Sequence, residues 1–233
     1  VQGYMMGYIF GNVLSFAFLM IFGKLWAYLS NKSVSASLFK TLLLFSIPLI
    51  PNTICWWISN STNRFMITHY IDKSATGIFS VAYKIPSMLS ILSTILFQAW
   101  QMSANKESEN QDIDHFYSKM AEYLQCVTFL GASVIVVLSK FIIGIMTNEA
   151  YYEAWEYVPV LVLSVASFTL AQLLGSLYTT FKKTLMAFVT NLLTAIINIV
   201  LNIILIPKFG IQGACITTAV SYLVLWIIRA LDT

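Results

Sequence analysis

Apolar runs with few or no charges, separated by short polar links, divide the sequence into seven segments. The first run extends from Val1 to Phe22 without a charged residue. A helix needs about 20 such residues to cross a bilayer, and the later runs come close to that length or exceed it. They lie at 41–63, 74–105, 121–139, 157–181, 184–207 and 209–228. The pattern predicts an all-α, polytopic transmembrane helix bundle of about seven spans.

Composition supports a membrane protein and argues against other classes. Of the 233 residues 58% are hydrophobic and 10% are charged, whereas soluble domains average about 25% charged. The net charge of +3 is carried by scattered basic residues, while a nucleic-acid partner requires a clustered basic face. Cys55, Cys126 and Cys215 each lie alone in an apolar stretch without a nearby cysteine or histidine partner. No nucleic-acid partner, metal site, cofactor or disulfide framework is indicated.

Small residues suggest that the chain contains parts of two repeats. Gly3, Gly7, Gly11 and Ser15 follow one another at four-residue spacing, which is typical of a close-packing face between membrane helices. Small residues recur at similar offsets in the last segment, as in transporters built by duplication. The expected division is 1–22 as the last helix of a truncated N-terminal lobe, 23–40 as a cytoplasmic link between lobes, and 41–233 as a C-terminal six-helix lobe. Val1 with no basic region before the run favours an internal helix over a signal peptide.

The distribution of lysine and arginine predicts an orientation. Basic residues are enriched on the cytoplasmic side of membrane proteins. Eight of the thirteen fall on one side of the predicted topology, so the links 23–40, 104–119 and 182–183 are expected to be cytoplasmic. The eight are Lys24, Lys32, Lys40, Lys106, Lys119, Lys182, Lys183 and Arg229.

Two cations near the third segment are candidate substrate-binding residues. Lys84 interrupts an otherwise uncharged run from Ser74 to Asn105. It either extends its stem toward the headgroups or faces a water-filled cavity, where ionisable residues inside membranes usually act, and we favour the cavity. Arg64 follows the second segment closely, and an interfacial anchor or a cavity residue fits it equally well.

Other polar residues offer weaker candidates. Asn52, Asn191, Asn198 and Asn202 lie inside apolar runs. The last three recur at helical spacing, so they either line a cavity or hydrogen-bond between helices, and the second alternative is the simpler one. His69 and Asp72 are three residues apart in a predicted polar turn and are a weak candidate for a coupling pair.

Several stretches resemble the second half of lipid-linked oligosaccharide flippases, the Wzx-type O-antigen and capsule-repeat translocases of the MOP exporter superfamily. The most specific are GIFSVAYK at 77–84 and IPKFGIQGA at 206–214, and SIPLIPNTICWWISNSTNRFMI and FQAWQMSANKE point the same way. Relatives often carry an acidic residue before the arginine, where this chain has Asn63 before Arg64. The resemblance covers nearly the whole chain.

The resemblance implies a protein of two lobes that enclose a cationic cavity in the inner, cytoplasmic membrane. The substrate would be an undecaprenyl-pyrophosphate-linked oligosaccharide, flipped across the membrane by alternating access. Lys84 and Arg64 would then bind the pyrophosphate through charge-assisted hydrogen bonds. Membrane lipids, a glycan polymerase and a chain-length regulator are the implied partners, and the implied role is transport rather than catalysis.

Two other function classes stay open on the sequence. A drug or cation antiporter of the same superfamily would be expected to carry carboxylates within its spans. A membrane enzyme such as a glycan polymerase or acyltransferase would require a cluster of acid, base or nucleophile in its loops, and the loops offer only scattered charges.

Overall fold

The computed structural model describes residues 2–23, 35–47, 49–107, 113–180 and 183–232. Helices account for nearly all of these residues, which confirms the predicted all-α class. Five helices, α1 and α4 to α7, are long and apolar enough to cross a membrane. The helices are α1 (Gln2–Phe22), α2 (Ala36–Ser46), α3 (Leu49–Tyr70), α4 (Lys73–Glu107), α5 (Ile113–Met146), α6 (Val158–Thr180) and α7 (Thr184–Asp232), with a short 3-10 helix (Glu149–Glu156) between α5 and α6.

Helix α7 consists of two helices that meet at Gly210. This glycine has φ 60° and ψ −137°, a backbone conformation that glycine adopts without a steric penalty. Pro207 contributes no N–H to the helical ladder just before it. The predicted boundary between the last two segments, at 207–209, therefore agrees with the break that the structure shows.

The second predicted segment, a single kinked helix over 41–63, was wrong in its boundaries. In the structure α2 ends at Ser46 and α3 begins at Leu49, on either side of Pro48, which lies outside the described residues. The residue before a proline disfavours helical geometry, and Ile47, which precedes Pro48, is a turn residue. Pro51 lies in the first turn of α3, where its missing N–H removes no helical hydrogen bond.

Helix α3 also extends seven residues past its predicted end, to Tyr70. Its last turns hold Arg64, which is exposed, and Thr68, whose hydroxyl donates to the Arg64 carbonyl. Polar residues of this kind fit an exposed helix end as well as a turn, so composition alone cannot locate the boundary. The connection to α4 is short, and Asp72 caps α4 by accepting a hydrogen bond from the Ala75 N–H at 2.6 Å.

The fourth predicted segment likewise proves longer than expected. The amphipathic lead-in over 113–120 and the span 121–139 form one helix, α5, which continues to Met146. Lys140 was predicted to end this span, but its Nζ lies 4.9 Å from the centre of the Trp155 ring in the 3-10 helix. A cation–π contact accommodates the charge beside the helix, so the helix does not have to end there.

Two compact units divide the chain, Val1–Leu44 and Phe45–Thr233. The larger unit has a continuous apolar core to which α3, α4, α5, α6 and α7 contribute buried residues such as Ile67, Phe79, Ile143, Val162 and Cys215. Helix α6 is the most deeply buried of the candidate spans, and α4, α5 and α7 all pack against it. The candidate site residues lie on the helices of this unit, except Asp72, which lies between α3 and α4. Most of the predicted link 23–40 falls outside the described residues.

The topology predicts opposite accessibility for the two ends of α4. Single cysteines at Lys73 and Ser108, in a protein whose three native cysteines are replaced, should react with a membrane-impermeant maleimide from the outer and the cytoplasmic side respectively. We choose Lys73 because it is exposed beside the Asp72 cap, whereas Ser61, close to the predicted end of the second segment, is partly buried within α3. Labelling of both positions from one side would refute the topology, and labelling from the two sides in reverse would refute the orientation.

Candidate functional site

Lys84 lies near the middle of the α4 span and lines a cavity between α4 and α5. The candidate span runs from Lys73 to Gln98, so Lys84 lies about 16 Å from its start at 1.5 Å per residue. The side chain is exposed, and the described residues give it no ion-pair partner. The cavity has a volume of about 440 Å³ out to its mouth. Its other lining residues are Val81, Ile85, Met88, Ile143, Met146 and Thr147.

This environment leaves the Lys84 ammonium available to an anion. The only polar side chain among the other lining residues is Thr147, whose hydroxyl donates to the Ile143 carbonyl at 2.8 Å. An uncompensated charge in a membrane span is costly unless water or a partner reaches it. A wet cavity that admits an anionic group would satisfy this requirement.

Arg64 does not line the Lys84 cavity. It is exposed on α3 and interacts electrostatically with Tyr83, the residue before Lys84. The Tyr83 side chain in turn lies close to that of Tyr222 of α7. Arg64 of α3 thus lies near Tyr83, on the side of α4 that faces α3 and α7. Lys84, the next residue of α4, lines the cavity on the side that faces α5.

The side chains of His69 and Asp72 make separate contacts. Asp72 accepts the capping hydrogen bond at the start of α4. The His69 ring stacks with Phe65 at a centroid distance of 6.4 Å and meets Tyr70 edge-on at 5.1 Å. Both residues are exposed at the turn. In the described part of the chain the structure therefore gives the weak coupling pair no direct contact.

A buried network of amides joins α3 to both halves of α7. Asn202 donates to Asn63 Oδ1 at 2.6 Å and to Asn198 Oδ1 at 3.0 Å. Asn63 donates to the Thr218 hydroxyl at 2.8 Å, and that hydroxyl donates to the Ala214 carbonyl. Of the two alternatives for Asn198 and Asn202, the structure shows hydrogen bonding between side chains inside the bundle. The side chain of the further candidate Asn52 lies outside the described residues.

The network is not fully satisfied. Three of its neighbouring oxygens are buried without a hydrogen-bond partner in the described residues, namely Asn202 Oδ1, Thr217 Oγ1 and Ser221 Oγ. A buried polar group without a partner costs about 1–3 kcal/mol. Uncharged polar groups of α3 and of both halves of α7 therefore lie buried inside the bundle.

We expect Asn202→Leu to destabilise the protein by about 1–3 kcal/mol, because Asn63 Oδ1 and Asn198 Oδ1 would lose their donor. Asn63→Leu should cost a similar amount. The double variant should cost less than the sum, because the two side chains share one hydrogen bond. Thermal unfolding of the four purified proteins measures this coupling, and strictly additive effects would contradict it.

Arg229 is a buried charged residue whose environment the sequence did not reveal. We expected it at the cytoplasmic membrane surface, yet it is 2% exposed. Its guanidinium donates to the Ala171 carbonyl at 2.6 Å, to the Thr190 hydroxyl and to Asn191 Oδ1 at 3.2 Å. The candidate Asn191 thus binds a side chain of its own bundle. A basic residue after an apolar run is usually interfacial, so the only available signal was that about one more turn of helix could follow Ile228.

Small and aromatic residues of α6 make room for this arginine. A Cβ added to Gly175 would overlap Arg229 Nη1 and lie 2.9 Å from its Cζ. The ring of Tyr178 lies 6.0 Å from that Cζ, and the Tyr178 hydroxyl donates to Asp232 at 2.7 Å. Arg229 therefore ties the end of α7 to α6 and to the start of α7.

Comparisons with known proteins agree with this architecture. Residues 1–101 match the family model described as polysaccharide biosynthesis protein. The chain is 27% identical over 222 residues to an uncharacterized membrane protein, MJ1068, of Methanocaldococcus jannaschii, covering 88% of this chain and 43% of the relative. It is 24% identical over 166 residues to the probable low-salt glycan biosynthesis flippase Agl15 of Haloferax volcanii, covering 69% and 35% respectively. The chain thus spans less than half the length of these relatives.

Solved structures show the same fold. An outward-facing multidrug resistance MATE family transporter of the MOP superfamily aligns with a TM-score of 0.57 at 18% identity, over 80% of this chain and 43% of the transporter. A MOP superfamily transporter from Pyrococcus furiosus aligns with a TM-score of 0.56 at 19% identity, over 80% and 42%. The chain is a multi-pass membrane protein with the fold of MOP superfamily transporters. Together with the family match, this confirms the resemblance to polysaccharide flippases of that superfamily that the sequence indicated.

Proposed function

We propose that the protein flips undecaprenyl-pyrophosphate-linked oligosaccharides, such as O-antigen, capsule or exopolysaccharide repeat units, across the cytoplasmic membrane. The observation that carries this proposal is the polysaccharide-biosynthesis match over residues 1–101, because those residues include Arg64 and Lys84. The similarity to a probable glycan flippase supports the same substrate class. The work is transport: no covalent bond of the substrate changes.

The chemistry of such a substrate explains why a protein is needed. A sugar chain and a pyrophosphate cannot enter hydrocarbon without losing hydrogen bonds to water, at several kcal/mol for each polar group. A cavity that supplies water and a cation removes much of that cost. Lys84, exposed at mid-span and without an ion-pair partner in the described residues, supplies a charge-assisted donor for a pyrophosphate oxygen. Arg64 offers a second cation on the neighbouring side of α4.

The alternative proposal, a drug or cation antiporter, has less support in the described spans. Carboxylates that couple transport to protons are expected deep within membrane helices. Within the described candidate spans the carboxylates are Glu122 and Asp232, each near one end of its span, and Asp232 accepts a hydrogen bond from Tyr178.

The second alternative is a membrane enzyme. The residues that the structure describes contain no cluster of three side chains that could hold a catalytic metal ion.

Partners follow from the proposed substrate. A flippase delivers repeat units to the outer leaflet, so a glycan polymerase and a chain-length regulator would act on its product.

A strain that lacks its own flippase tests the proposal. Expression of the protein from its complete gene should restore surface glycan and remove the lipid-linked oligosaccharide that accumulates on the inner leaflet. Matched membrane levels are checked by immunoblot. Unrestored glycan together with increased resistance to cationic drugs would instead favour the antiporter.

A further inference from the structure

A second cavity lies in the larger unit, away from Lys84, between α4, α5 and α6. Its volume out to the mouth is about 420 Å³. Helix α4 contributes one face at positions i, i+3, i+4 and i+7, and α6 contributes three residues on facing turns. The lining residues are Ser90, Ser93, Thr94 and Phe97 of α4, Leu124 of α5, and Phe168, Thr169 and Gln172 of α6.

The polar lining of this cavity is neutral, and its hydrogen-bonding groups are incompletely satisfied. Ser93 is 5% exposed, and its hydroxyl has no hydrogen-bond partner in the described residues. The hydroxyls of Thr94 and Thr169 donate to carbonyls of their own helices, so their oxygens are left to accept. A serine hydroxyl and the Gln172 amide can each donate and accept. The cavity therefore offers both kinds of hydrogen-bonding group and no charge.

Aromatic rings complete the lining. Phe97 and Phe168 border the same cavity, and the Phe168 ring is held against Tyr222 at a centroid distance of 4.7 Å. Thr94 and Gln172 are exposed and mark the mouth. A ligand that fits has an apolar face for the rings and several neutral groups that both donate and accept hydrogen bonds.

We infer that this cavity binds one neutral pyranose unit. A pyranose ring carries C–H groups on its faces and hydroxyls around its edge, which matches the two sets of lining residues. The inference rests on the proposed flippase function and deepens it: Lys84 would hold the pyrophosphate while this cavity receives a sugar. The two sites are about 14 Å apart along α4, counted from Lys84 to Ser93 at 1.5 Å per residue, a separation that an oligosaccharide can bridge.

Saturation-transfer NMR on the purified protein in lipid nanodiscs tests the site without transport. The probes are methyl β-glucoside, methyl β-galactoside and N-acetylglucosamine, with glycerol and cyclohexanol as comparison compounds. At least one sugar should receive saturation, most strongly at the ring-face protons. Ser93→Leu, which fills the cavity, should reduce the signal at least tenfold, and Ser93→Ala should weaken binding about three- to tenfold. Ser133→Leu is the matched control, because Ser133 is exposed on α5 and its hydroxyl bonds its own helix.

The outcomes separate this inference from the proposed function. Sugar signals that are absent, that equal those of cyclohexanol, or that persist in a correctly folded Ser93→Leu protein would overturn the pyranose site. Full glycan export by Ser93→Leu would overturn it as well while leaving the flippase function intact. Sugar binding that depends on Ser93, in a protein that restores no glycan, would uphold the cavity and refute the transport role proposed here.

Discussion

Glycan export should be almost abolished by Lys84→Gln and partly retained by Lys84→Arg. Glutamine keeps much of the length of lysine but removes the charge, and with it about half of a hydrogen bond worth roughly 1.5–3 kcal/mol. The loss is expected to be larger than that figure alone suggests, because no other cation lines this cavity in the described residues. Surface glycan in a flippase-deficient strain, at equal membrane levels, measures the effect.

The competing explanation for Lys84 makes the opposite forecast. A lysine that only extends its stem to the headgroups tolerates glutamine, methionine or arginine. Lys208 is a suitable comparison because it is exposed on α7 beside the break at Gly210, so Lys208→Gln should leave export near normal. Arg64→Gln should weaken export more mildly than Lys84→Gln, because charges nearer bulk water are better screened. Full export by Lys84→Gln would refute the pyrophosphate-binding role and favour a structural role for Lys84.

The positions of most membrane helices could be predicted because they depend on a property of the sequence alone. The second predicted segment is the exception, because the structure divides it between α2 and α3 and neither is among the candidate spans of the described residues. An uncharged run of about 20 residues has few alternatives to a membrane helix, and Pro207 and Gly210 interrupt the last run in the chain where the structure breaks it. The boundaries around 64–72 could not be predicted in the same way. Polar side chains there can hydrogen-bond to backbone carbonyls of their own helix, as the Thr68 hydroxyl does with the Arg64 carbonyl. A polar stretch therefore does not mark the end of the helix.

The hydrogen-bond partners of the candidate residues could not be predicted from the sequence. Helical spacing placed Asn198 and Asn202 on one face of their helix, but it could not supply Asn63, which lies 139 residues from Asn202. In the sequence, Asn63 is distinguished only by its position before Arg64, where relatives often carry an acidic residue. In the structure it hydrogen-bonds both halves of α7. Long-range hydrogen bonds depend on which helix faces which, and periodicity within one helix carries no such information.

Arg229 shows most clearly that long-range contacts cannot be read from the sequence. Its buried guanidinium occupies the space beside Gly175, and only the three-dimensional structure brings these two residues together. We expect Arg229→Met to destabilise the protein by at least about 2 kcal/mol, because the Ala171 carbonyl, Thr190 and Asn191 would lose their donor inside the bundle. For a chain of this size that corresponds to a fall in Tm of roughly 4–8 °C. Lys208→Met, an exposed position on the same helix, should change Tm little.

Gly175→Ala provides the sharper test of this contact. The new Cβ would overlap the Arg229 guanidinium, which its hydrogen bonds to Ala171, Thr190 and Asn191 hold in place. The variant should therefore be destabilised, but by less than Arg229→Met, because the end of the arginine side chain can shift. Alanine is otherwise a better helix residue than glycine by about 1 kcal/mol. In the Arg229→Met background, where the flexible methionine can move aside, Gly175→Ala should therefore cost nothing or raise Tm slightly. Thermal unfolding of the two single variants and the double variant in the same detergent gives the coupling directly. A Gly175→Ala protein as stable as wild type, or a double variant that loses the sum of both effects, would show that Arg229 does not occupy the space beside Gly175.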